Sequence, residues 1–136
     1  MKVFENEDQF HKKLNKKTKK INSSKEQVLK KAFQFHSQGN ISEAAKYYQY
    51  CVNQGFADSK VFSNFGLLLR GLGKLKEAEL SARKAIELNP NYEFAHLNLG
   101  GILKDLGNLE EAELSVRQVI ELNPNSSVAY SNLGGI

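Results

Sequence analysis

Three histidines, one cysteine and a Gly-Leu-Gly-Lys stretch are the residues of this chain best suited to chemistry. His11, His36 and His96 could serve as metal ligands or general bases, but no second His or Cys stands at a ligand spacing from any of them. Cys51 is the only cysteine, so no internal disulfide can form, and a reducing, cytoplasmic setting is expected. Gly71-Leu72-Gly73-Lys74 hints at a phosphate-binding loop. That motif needs a glycine five residues before Gly73 and a Ser or Thr after the lysine, whereas Leu68 and Leu75 occupy those positions. The serines lie in no G-x-S-x-G context and beside no oriented base. The chain is therefore expected not to be an enzyme, and to need neither metal nor cofactor.

Repetition is the stronger signal. The hexapeptide IELNPN occupies Ile86–Asn91 and returns 34 residues later at Ile120–Asn125. Rows of that period run 25–58, 59–92 and 93–126, and a fourth, 127–136, stops after SVAYSNLGGI. A fixed period of this size marks stacked supersecondary units and not one closed core. Within the second row Phe62, Phe65 and Leu69 recur at helical steps. Gly71 and Gly73 interrupt, and Leu75, Ala78, Ala82, Ala85, Ile86 and Leu88 resume the rhythm. Asn89-Pro90 must end that second helix, because a residue before proline is driven out of the α region and proline has no N–H to donate. The first row lacks the proline, and Gly55 is expected to end its second helix in a left-handed conformation. Each row thus predicts an antiparallel helix hairpin.

Charge divides the chain differently. Residues 1–31 carry ten lysines against four acidic groups, a net +6, and the nine basic and eleven acidic groups that follow leave −2. Segment 1–24 is expected to be a basic leader, disordered or helical, with Ser24-x-x-Gln27 as a capping box for the first repeat helix. It lacks the continuous apolar core of a secretory signal. No run approaches the roughly 20 apolar residues of a membrane span. Six lysines lie within residues 12–20, but the absence of arginine and of interleaved aromatics argues against nucleic-acid recognition.

The rows resemble the tetratricopeptide repeats. Phe62, Phe65, Gly66, Leu69, Ala78, Ala82, Ala85 and Pro90 fill that family's pattern in the second row. His96, Leu99, Gly100, Leu103, Ala112, Val116, Val119 and Pro124 fill it in the third. The first row agrees through Val28, Ala32, Phe35, Ala44, Tyr48 and Cys51 but has Lys31 where leucine is expected, and the last contributes Tyr130, Leu133 and Gly134. On this alignment His96 and Cys51 are packing residues. The resemblance implies an all-α, right-handed superhelical solenoid of antiparallel helix hairpins. Its concave groove would bind an extended segment of a protein or peptide partner. Groove-facing places in the family fall here on Asn64, Asn98 and Asn132, with Lys60, Arg70, Lys104 and Asp105 supplying charge and Phe94 and Leu97 apolar contact. Three asparagines at 34-residue intervals would form a ladder similar to the one in O-GlcNAc transferases, reading peptide backbone through amides that both donate and accept. The alternative is that each amide only bonds its neighbours. The abrupt end at SNLGGI predicts further repeats or another domain beyond Ile136, the alternative being a solitary cap helix at a natural terminus; a catalytic domain there would make the chain the recruitment module of a glycosyl-, sulfo- or methyltransferase. With Leu133 and Ile136 expected to face solvent, self-association through that end is also an expectation.

Overall fold

The computed structural model describes Gln9 and residues 25–136. The basic leader, apart from Gln9, and its Ser24 capping box lie outside the described residues. Seven helices are formed by the segment 25–136: α1 Lys25–Ser37, α2 Ile41–Asn53, α3 Ser59–Gly71, α4 Leu75–Leu88, α5 Glu93–Asp105, α6 Leu109–Leu122 and α7 Ser127–Gly134. No strand occurs among the described residues, and the architecture is an all-α helical-repeat solenoid. None of these helices is long and apolar enough to cross a membrane. Contacts divide the chain into two compact units, Met1–Ala57 and Asp58–Ile136.

In the first unit α1 and α2 pack as a hairpin around aromatic rings. Tyr48 is fully buried, with Phe33 edge-on at 6.0 Å and the His36 ring edge-on at 5.6 Å. Its hydroxyl lies 2.9 Å from His36 Nδ1. Such a hydroxyl cannot be buried without a partner except at a cost of about 1–3 kcal/mol, and the imidazole supplies one. Gly39 closes the turn at φ +76°, which lets the Asn40 N–H reach back to the Phe35 carbonyl at 2.9 Å. Gly73 and Gly107 repeat this bend at the same place of their repeats. Gly55 ends α2 at φ +74°, as the sequence implies. Cys51 is fully buried beneath the same hairpin.

Burial holds the His36 pKa below its ordinary value. An unfolded chain accepts that proton near pH 6.5, while the folded hairpin resists it. The stabilisation is thus complete above 6.5 and is lost as pH falls from there toward the lowered folded value. Thermal melts of the chain between about pH 7.5 and 5.5 are expected to show a falling midpoint, flattened by His36→Gln. Equal slopes for both proteins would remove His36 as the cause.

The second unit stacks two hairpins and a final helix. Small residues set the separation within each hairpin. A Cβ placed on Gly66 of α3 would lie 3.2 Å from the Ala78 carbonyl oxygen and 3.4 Å from the Ala82 nitrogen of α4. A Cβ on Gly100 of α5 would lie 2.9 Å from the Val116 Cγ2 of α6. Ala78, Ala82, Ala85 and Ala112 are fully buried at these crossings. Three helix starts of this unit are capped by side chains: Asp58 accepts from the Val61 N–H, Asn108 from the Glu111 N–H and Ser126 from the Ala129 N–H.

The recurring hexapeptide now has a physical account. α4 and α6 stop at Leu88 and Leu122, and Asn89 and Asn123 turn extended, with φ −147° and −144°. Their side chains then accept the N–H of Asn91 and Asn125 at 3.2 Å, closing an Asx turn around each proline. His96 Nε2 donates to the Pro90 carbonyl at 2.7 Å, which pins the following helix α5 to that turn.

Candidate functional site

The residues first considered for chemistry are dispersed by the fold. Among the described residues no three His, Cys, Asp or Glu side chains gather as a metal site. Cys51 lies in the α1–α2 core, His36 is bonded to Tyr48, and His96 to Pro90. Gly71 ends α3, and Gly73 bends the chain between α3 and α4. Lys74 there directs its N–H to the Leu69 carbonyl, in the manner of an ordinary helix C-terminus.

A cleft of about 630 Å³ opens instead in the second unit, a size suited to a peptide or small ligand. Arg70, Phe94, Leu97, Asn98, Lys104 and Asn132 all line it. Its walls come mainly from α5 and α7. Residues 93, 94, 97, 98, 100, 101 and 104 face it from one side, and 127, 128, 131, 132, 135 and 136 from the other. These are i, i+3/i+4 and i+7 steps along two helices, so the cleft runs lengthwise between them.

The remaining groove candidates sit elsewhere. Lys60 and Asn64 lie on α3 and do not line the cleft. Asp105 turns toward Arg70 and receives its guanidinium on both oxygens, Nε to Oδ2 at 2.6 Å and Nη2 to Oδ1 at 3.3 Å. That hydrogen-bonded guanidinium holds the Asp105 carboxyl below its ordinary range. Both partners are substantially exposed, so the pair contributes about 0–1 kcal/mol to stability. Its larger effect is positional: the guanidinium is held beside Gly101, where a Cβ would strike it.

The three asparagines are not equivalent. Asn98 donates its Nδ2 to the backbone oxygen of Ser63 at 3.1 Å and to the Ser63 Oγ at 2.8 Å. Ser63 is fully buried on α3, so this amide ties α5 to the first helix of the preceding repeat, and its Oδ1 is the atom left for a ligand. Asn132 is exposed on α7, with its whole amide open to the cleft. The repeat pattern does not mark Ser63 as a partner. In the next repeat the same place holds Leu97, and nothing in the local pattern distinguishes a buried bonding serine from a surface one.

The expected solvent exposure of Leu133 and Ile136 is corrected. Both are half-buried and pack with Leu97 and Ile120 against the cluster of Val116, Val119 and Ala129. Apolar burial drives the last turn of the chain inward, although Gly134 beside it is open.

Hairpins of this geometry, repeated at 34 residues with small residues at each crossing, define a tetratricopeptide-repeat protein. More specifically, residues 28–133 match the model of the cilia and flagella-associated protein 70 middle TPR-like domain, and the chain belongs to that family. No curated protein matches its sequence. Among solved structures it is similar to the Arabidopsis OM64 TPR domain, with 19% identity over 82% of this chain and 92% of that one and a TM-score of 0.77. The second TPR domain of human RPAP3, determined in complex with an HSP70 peptide, gives 24% identity over 79% and 90% and a TM-score of 0.74. The first TPR of Spaghetti (RPAP3), bound to the HSP90 peptide SRMEEVD, gives 26% over 85% and 94%, again with a TM-score of 0.74.

Proposed function

We propose that the chain is a non-catalytic protein–protein interaction scaffold that holds an extended peptide segment in the cleft between α5 and α7. The observation that carries this reading is the cleft itself. It combines an open amide at Asn132, a second carbonyl at Asn98, apolar surface at Phe94 and Leu97, and a cationic group at Lys104. Amides can satisfy a peptide unit whatever its side chain, and exposed rings supply apolar contact at low entropic cost. The peptide-bound relative Spaghetti (RPAP3) supports the same use of the fold.

An array of short peptides, probed with the parent chain and with single alanine variants at Asn64, Asn98 and Asn132, tests it. Asn132→Ala is expected to weaken binding about tenfold, equivalent to roughly 1.4 kcal/mol. Asn64→Ala, outside the cleft, should change little. Asn98→Ala also removes the bond to Ser63, so its binding is read against its own melt. Parent and Asn132→Ala binding alike, or no peptide binding at all, would refute the cleft as the site.

A further inference from the structure

The cleft carries opposite charges at its two ends. At the start of α5 the Glu93 carboxylate stands beside Phe94, which is 55% exposed, and across from Val128 of α7, 56% exposed. At the far end lie Arg70 and Lys104. Asp105 already neutralises Arg70 through two hydrogen bonds. Lys104 is exposed, forms no ion pair among the described residues, and feels Asp105 only through space. Its Nζ reaches across to the end of α7, 3.3 Å from where a Cβ on Gly135 would sit. Lys104 is therefore the cation left for a ligand.

Phe94 and Lys104 are ten residues apart on one helix, which is about 15 Å at 1.5 Å per residue. An extended peptide advances about 3.3 Å per residue, so four or five ligand residues span the interval. We propose that the cleft selects an extended acidic segment that places an apolar side chain against Phe94 and Val128 and a side-chain carboxylate, four or five residues along, on Lys104. The carboxylate is taken as a side chain's because Lys104 stands at the exposed rim, where a chain can continue past it. This inference rests on the scaffold reading and adds to it the ligand's chemistry and spacing.

The probes are eight-residue, C-terminally amidated peptides in a Gly/Ser background, with one fixed Leu and a Glu walked from two to seven residues away. A matched set carries Lys in place of Glu. Fluorescence polarisation against the parent is expected to peak at an offset of four or five for the Glu set and to show no peak for the Lys set. Lys104→Met should remove the peak. Lys104→Glu should weaken the best Glu peptide about tenfold and strengthen its Lys counterpart. Lys104→Glu also sets a like charge beside Asp105 at a helix C-terminus, so Lys104→Met keeps the test valid should the other variant unfold. A flat Glu walk, with binding still lost on Asn132→Ala, would overturn the spacing and leave the scaffold reading standing. The Glu set is also made with a free C-terminal carboxylate, and binding by that form alone would overturn the side-chain assignment. Absence of binding by every peptide would overturn both readings.

Discussion

Replacing Ile102 with alanine is expected to destabilise the 58–136 unit by about 2–5 kcal/mol, the range for deleting a fully buried aliphatic side chain. Ile102 has no exposed surface and lies in the middle of α5, which packs against α3, α4 and α6. The void would be walled by three helices held at fixed separation by the Gly66 and Gly100 crossings, so little of it can collapse, which places the cost toward the upper half of the range. A unit of this size changes its melting midpoint by roughly 4–8 °C per kcal/mol, so the loss is large against a total of only about 5–15 kcal/mol. Urea unfolding at unchanged slope measures it. Ile102→Val should cost about 0.5–1.5 kcal/mol, and Leu114→Ala, at a side chain 66% exposed, should lie within about 0.5 kcal/mol of the parent. Equal midpoints for Ile102→Ala and Leu114→Ala would contradict the placement of α5 at the centre of this unit.

Enlarging the hairpin crossings gives the second large effect. Ala112→Leu is expected to cost about 1–3 kcal/mol by overpacking, and Ala78→Leu the same or more. Both alanines are fully buried, and each faces the helix bearing the glycine of its hairpin. The two crossings differ in what a Cβ would meet. Gly66 approaches the backbone of α4 at Ala78 and Ala82, whereas Gly100 approaches a single methyl of Val116. Val116 is buried and β-branched, so its helix holds it to one rotamer, and the backbone of α4 is no freer to move. Gly66→Ala and Gly100→Ala should therefore both destabilise, each by less than the strain alone because alanine gains about 0.8–1 kcal/mol in helix propensity. Thermal melts of the four variants, ranked against one another, check this. An unchanged melt for Ala112→Leu would mean the helices do not cross there.

The asparagine ladder shows how far a repeat pattern carries. Its period placed Asn98 and Asn132 on two helices that face one cleft, and Asn64 one helix away from it. The pattern treated the three as equivalent because it records place, and place is the same for all. What distinguishes Asn98 is Ser63, 35 residues earlier, and what distinguishes Asn132 is that Leu97 occupies the corresponding place. The same limit explains Arg70 and Asp105. The pattern offers each as charge available to a ligand, and they bind one another instead across two helices.

What the amino-acid sequence by itself determined is the repeat: two helices per 34 residues, glycine bends after each first helix, an Asn-Pro stop after two of the second helices, and small residues where helices cross. These features follow from backbone rules acting over three to five residues and from a periodicity that needs no knowledge of neighbours. Only the tertiary structure decided which polar groups are already satisfied. It gave Asn98 to Ser63 and Arg70 to Asp105, turned Leu133 and Ile136 inward, and left Asn132 and Lys104 open along the same cleft. Those assignments depend on side chains from different repeats meeting at hydrogen-bond distance, and a repeat pattern holds no record of distance.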